Sequence, residues 1–224
     1  MRNGSQRYPF TAVAVLIMLA SHAMAQAPPS TNAEASKPMR PLDRQPFDRI
    51  TINAASGGES IDTLLLELPA RRVPNPLPTS GSLQVRRLSE PSTLYTVPWS
   101  SIAKIEFYEQ LLLNEAISLA RAKQLSESYD YLKFLYKNYP DLPGLERATA
   151  GYLRLDAQSA YAKKEYEETL TILIALYELD PNQRGLKRFV ELVTDRMIDS
   201  HLTTRNFKAA RAVLDLLNQS FAEL

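Results

Sequence analysis

Three stretches decide the fold: LSESYDYLKFLYKNYP at 125–140, YEETLTILIALYELDP at 166–181 and FKAARAVLDLLNQSFA at 207–222, each beginning 41 residues after the one before. Leu125, Tyr166 and Phe207 are one position, Leu132, Leu173 and Leu214 a second, and Leu135, Leu176 and Leu217 a third. Pro140 recurs as Pro181, and Gly144-Leu145 as Gly185-Leu186. Self-similarity at a fixed period of this size marks stacked helix pairs, each covering the apolar face of its neighbour. Each unit therefore reads as a helix A, a short turn and a helix B. The A helices are predicted over about 106–123, 145–163 and 186–203, and the B helices over about 126–138, 167–179 and 207–221. Within each B helix the apolar residues recur at helical spacing, as in Leu170, Leu173, Leu176 and Tyr177, so one face is committed to burial. Leu132, Leu173 and Leu214 are expected to occupy equivalent buried places. The turn residues Leu125, Tyr166 and Phe207 are expected to tuck between the two helices of their own unit.

Upstream of the helices, residues 47–106 change to short apolar alternations between turn formers, which predicts a small β domain. Ile50 and Ile52 alternate with polar neighbours, Gly57-Gly58 marks a turn, and Ile61 to Leu68 reads as a buried strand or a short helix. Leu83 and Val85 point one way and Gln84 and Arg86 the other; Leu94 to Val97 gives a further strand. Arg71-Arg72 and Arg86-Arg87 are the paired bases of this region and could together form a positive patch. The alternative is local pairing with Glu67 and Glu90. No glycine-rich loop leading into a helix accompanies them, as a phosphate cradle would require.

The first 25 residues have the pattern of a secretory signal: Arg2 and Arg7, an apolar run from Thr11 to Ala20, then Ala23-Met24-Ala25. The run is shorter than the roughly 18 to 20 residues that cross a bilayer, so cleavage before Gln26 is expected, with no stable membrane insertion afterwards. The expected location is periplasmic or extracellular. Cleavage would move the formal charge from +1 to about −1, which argues against general attraction to nucleic acid or anionic lipid. Residues 26–46, with five prolines and little to bury, read as a disordered linker.

The helical units resemble tetratricopeptide repeats, which have a small residue in the first turn of helix B and a proline twelve residues later. Here those positions are Ser128, Thr169 and Ala210, then Pro140, Pro181 and Ala222. The small helix A positions are Ala116 and Ala157, with Ile198 departing. The period departs as well, since the family repeats at about 34 residues; a longer helix A would absorb the difference, and HEAT-like packing is the competing description. The stretch from Val97 to Ile105 looks like the closing strand of small bacterial barrels. The order of parts over Phe47 to Leu145 resembles the front of large secreted bacterial proteins that precede a peptide-transporter-type solute-binding domain. The fold expected is therefore α+β: a small β-barrel-like unit (47–106), then a short α-solenoid of three helix-turn-helix repeats (107–224).

Chemistry is sparse in the inventory. There is no Cys, and His201 is the one histidine after residue 25, which leaves neither a thiolate nucleophile nor a zinc site, and no cofactor is expected. Glu167-Glu168 begins a helix, where acids complement the dipole. The informative surface is the one lined by the A helices. In the family resembled, the concave side corresponds here to Gln110, Leu113 and Ile117, then Arg154, Gln158 and Tyr161, then Asp195 and Asp199. Mixed charge with a tyrosine suits an extended peptide or a partner helix. The expectation is an exported, non-catalytic scaffold that binds protein or peptide, with self-association through its uncapped last helix as a further route. The alternative is an accessory, or shortened relative, of a peptide-type transporter's solute-binding protein. A carboxylate hydrolase is the third reading.

Overall fold

The computed structural model describes residues 39–221. The expected export signal and most of the expected proline-rich linker lie outside them. Among the described residues the chain is α+β, a five-stranded antiparallel sheet followed by six helices. It packs as two compact units, one built from the sheet with residues 32–116 and 130–142, the other from residues 117–129 and 143–224.

In the sheet unit the strands are β1 (Asp48–Ile52), β2 (Ser60–Thr63), β3 (Ser82–Arg87), β4 (Glu90–Pro98) and β5 (Ile102–Glu106), in the order β4-β3-β2-β1-β5. The expected barrel does not close: β4 and β5 are the two edges, with no ladder between them. Pro98, which has no N–H, ends β4, and a three-residue turn at Trp99–Ser101 then leads into β5. A flat sheet would hold these edges about 19 Å apart, whereas the four steps from Pro98 to Ile102 reach about 14 Å at most, so the sheet must curl. The turn is pinned from both sides, by Trp99 N–H to the Gly81 carbonyl (3.2 Å) and Asn53 N–H to the Ser101 carbonyl (2.8 Å). Ile50, Leu66, Val85, Ile102, Ile105 and Phe107 form the core. Burial of Phe107 there, after β5 has run to Glu106, delays the start of the first helix relative to expectation.

The Asp48 carboxylate, fully buried, is the centre of this unit. It accepts the backbone N–H groups of Leu66 (2.7 Å) and Tyr108 (2.9 Å) and both terminal nitrogens of Arg71 (3.0 and 2.8 Å). Arg71 also donates to Glu109 (3.1 and 2.8 Å) and lies 4.5 Å from the Phe107 ring centre. A buried charge persists only when paired and hydrogen-bonded in this way. The same contacts hold Ala70 and Arg71 at φ of 52° and 47°, a left-handed backbone that side chains disfavour. The end of the expected linker is also tied down. Arg40 pairs with Asp43 (2.8 Å) and Asp130 (3.2 Å), flanking a short turn at Pro41–Asp43.

The helices are α1 (Tyr108–Arg121), α2 (Leu125–Asn138), α3 (Leu145–Ala162), α4 (Tyr166–Leu179), α5 (Leu186–Thr203) and α6 (Phe207–Ser220). The even-numbered ones have 14 residues each and start 41 apart. Their entry turns match: Lys123, Lys164 and Arg205 sit at φ of 61°, 66° and 55°. The next N–H in each reaches back five residues, from Gln124 to Leu119 (2.9 Å), Glu165 to Ala160 (3.0 Å) and Asn206 to His201 (2.7 Å). This bond closes the preceding helix while reversing the chain. Gly144 and Gly185 take φ of 88° and 82° before the two 18-residue helices, a conformation that glycine adopts without penalty.

Side chains follow the spacing less uniformly. Ser128, Thr169 and Ala210 are all buried. Leu132 and Leu173 are buried at 4% and 0%, but Leu214 is 48% exposed, contrary to expectation. Phe207 is 65% exposed, so it does not tuck between helices either, while Leu125 and Tyr166 are half-buried. The reason is succession. In the helical unit α4 is covered by α5, and among the described residues no helix follows α6.

Candidate functional site

The helical unit contains a cavity of about 340 Å³ whose wall carries Arg154, Gln158 and Tyr161. These three stand on α3 at positions four and then three apart, and so share one helix face. Leu173 and Leu176 of α4 and Leu186, Phe189 and Leu192 of α5 give the apolar surface, and the loop residues Gln183, Arg184 and Gly185 complete the lining. The Tyr161 ring lies 5.6 Å from that of Tyr166 and meets Phe189 edge-on at 5.7 Å, which fixes its orientation. Arg154 and Gln158 are exposed and Tyr161 is half-buried. Arg196 neighbours the Tyr161 hydroxyl, and hydrogen bonding with it, together with nearby Asp199, raises the guanidinium's pKa. A concave apolar floor with a few polar groups at its rim is the form small-ligand and side-chain pockets take.

The remaining residues expected on this surface fare differently. Leu113 is 2% exposed and belongs to the core, so it has no surface to offer a partner. It sits between Leu112 and Ala116, whose burial widens the inward face of α1. Gln110 is half-buried and donates to Asn114 (3.2 Å) on its own helix, and Ile117 is half-buried. Asp195 and Asp199 are exposed on α5 and do not line the cavity, because they follow Leu192 by one and two turns. What the helix A pattern missed is the contribution of the loop before α5 and of α4. The Arg184-Gly185 pair was the available signal, since a left-handed glycine there turns the loop toward the cavity.

Asp156, one turn after Tyr152, is the carboxyl most shaped by the helical unit. Burial raises its pKa, the Tyr152 hydroxyl pulls it back, and the charge of Glu168 raises it further. Burial likewise raises the Tyr152 phenol, with Asp156 beside it. Asp156 does not line the cavity.

The paired bases of the sheet unit do not form one patch. Arg71 is consumed by Asp48 and Glu109; burial works against its charge, but those hydrogen bonds outweigh it and hold its pKa above the ordinary arginine value. Arg86 donates to the carbonyls of Pro91 (3.1 Å) and Ser92 (3.2 Å), and Arg72 is exposed. Arg87 stacks 4.8 Å over Tyr95 and lines an open groove of about 580 Å³ with Arg44, Arg49, Glu59 and Asp62. There Asp62 already binds Arg49 (2.7 Å) and approaches Arg44 (3.9 Å), so most of the groove's charge is internally matched.

Among the described residues, no three His, Asp or Glu side chains converge as metal ligands would, and no helix is long and apolar enough to cross a membrane. Comparison of the chain with protein-family models, with curated proteins and with solved structures found no match.

Proposed function

We propose that this protein is an exported, non-catalytic binding module of the cell envelope, whose helical unit is a short tetratricopeptide-like array that captures a peptide or an exposed protein segment. The observation that carries this reading is the cavity: Arg154, Gln158 and Tyr161, selected from sequence as a ligand-facing row, line a pocket floored by leucines of the next two helices. The even spacing of the α2, α4 and α6 starts and the matching left-handed turns support stacked hairpins as the architecture that presents it.

Export predicts that the protein recovered from the periplasm or medium begins at Gln26, which mass spectrometry of the intact chain reads directly. Binding is tested by selecting peptides from a displayed random library on the full mature chain. Enriched peptides should lose affinity for a variant carrying Arg154→Glu and Tyr161→Ala. Selection that enriches nothing, or peptides that bind both proteins equally, would remove the cavity from the account.

A further inference from the structure

The charge in the wall of the helical cavity has one sign. Arg154 and Arg184 stand in its wall, and no Asp or Glu does. Among the described residues neither arginine has a carboxylate within ion-pair distance; the nearest ion pair in sequence is Lys163 with Glu165 at 3.8 Å. Arg196, beside Tyr161, adds a third guanidinium, partly offset by Asp199. An arginine presents a planar fork that fits a carboxylate in two-point contact, and it gives up hydration more readily than a lysine. Between these cations the floor is apolar, with Leu173 and Leu176 buried and Leu192 41% exposed. The side-chain amides of Gln158 and Gln183 each offer both donors and an acceptor at the rim, the complement of a peptide backbone. A space of about 340 Å³ takes a few side chains, whereas an α-helix with its side chains is about 10–12 Å across.

We infer that the occupant is an extended acidic peptide in which one apolar side chain enters the leucine and phenylalanine floor while flanking carboxylates meet Arg154 and Arg184. This rests on the peptide-binding reading and names the chemistry of its ligand. The acidic flanks give register and encounter rate, and the apolar side chain supplies the buried area.

The test uses the full mature chain with three fluorescein-labelled peptides and one further ligand, read by anisotropy. These are an eight-residue peptide of alternating Asp and Phe or Leu, the same peptide with Lys for Asp, the same with Ser for the apolar residues, and decanoate as an unlabelled competitor. The acidic-apolar peptide should bind about tenfold or more tighter than either altered peptide, with affinity falling as salt rises. The double variant Arg154→Glu with Arg184→Glu should reverse the preference toward the Lys peptide while keeping the circular dichroism of the parent; both side chains are exposed, so the fold does not depend on them. Arg211→Glu, on α6 and outside the lining, should change nothing. Equal affinity for Asp and Lys peptides, an unreversed preference in the double variant, or reversal by Arg211→Glu overturns the acidic ligand and leaves peptide binding intact. Failure of every peptide, with or without decanoate binding, overturns both.

Discussion

Arginine does opposite work in the two units. In the sheet unit Arg40, Arg49 and Arg71 each meet a carboxylate at 2.7–2.8 Å, and Arg71 bridges two of them across the start of α1. In the helical unit Arg154 and Arg184 border an apolar cavity with no acid in its wall. Arg71 holds chain segments together, because Asp48 would otherwise be a buried, unpaired charge. An unmatched, exposed arginine adds little to stability and is available to a ligand. On the proposed reading, the contrast gives structure to one set and recognition to the other.

Removing Asp48 is the most forceful way to break this contrast. Asp48→Ala leaves two backbone N–H groups and the Arg71 guanidinium without their acceptor. It should cost about 3 kcal/mol, at the low end for a buried pair because the Arg71 side chain stays one-third exposed. Arg154→Ala should change stability by no more than about 0.5 kcal/mol. Urea denaturation of both variants reads the difference, and equal losses would mean that Arg154 is structural after all.

A comparison within the 41-residue spacing comes next. Leu173→Ala removes a fully buried side chain and should cost about 2–5 kcal/mol, while Leu214→Ala, at the equivalent position but 48% exposed, should cost under about 1 kcal/mol. A large loss at Leu214 in dilute protein would show that its surface is covered in solution, and dependence of that loss on protein concentration would identify self-association. Substitution of Thr169 by Val should cost about 1 kcal/mol, since its hydroxyl, in a fully buried residue, donates to the Glu165 carbonyl at 2.7 Å and caps no other group.

The smallest effect concerns pH. Burial places the Asp156 pKa above the ordinary carboxylate value, so the protonated acid is the form the fold prefers. Its contribution is present below the unfolded pKa and is lost as pH rises through the higher folded one. Asp156→Asn should therefore gain stability relative to the parent between mildly acidic and neutral pH, and the gap should close on acidification. Thermal melts of both proteins across that range check the sign, and a gap that widened toward acid would mean that Tyr152 and the bases around Asp156 dominate instead.

Much of the helical unit was legible because helix termini are written in local chemistry. Gly144 and Gly185 and the 41-residue spacing of Ser128, Thr169 and Ala210 mark turns and close contacts that depend only on nearby residues. The strands at Ile50, Val85 and Leu94 were legible in short apolar alternations, and the one ending near Ile105 only through a likeness to the closing strand of small barrels. Leu113 was not, since a helix pattern gives a face and not which neighbour covers it, and here that side is core. Asp195 and Asp199 share a face with each other, yet the cavity ends before them. The Asp48, Arg71 and Glu109 cluster was invisible for a different reason: its members lie 23 and 38 residues apart, and no periodicity joins them.

The sequence by itself determined where helices begin and end, how often the pattern returns and that the chain has no thiol and few imidazoles, because caps, turns and composition are properties of short segments. Tertiary structure decided that the sheet stays open, that Leu214 differs from Leu173, and that Arg154 and Arg184 meet over a floor of leucines. Those outcomes depend on which surface lies opposite a residue, and burial and charge pairing are set by that neighbour, however distant in the chain.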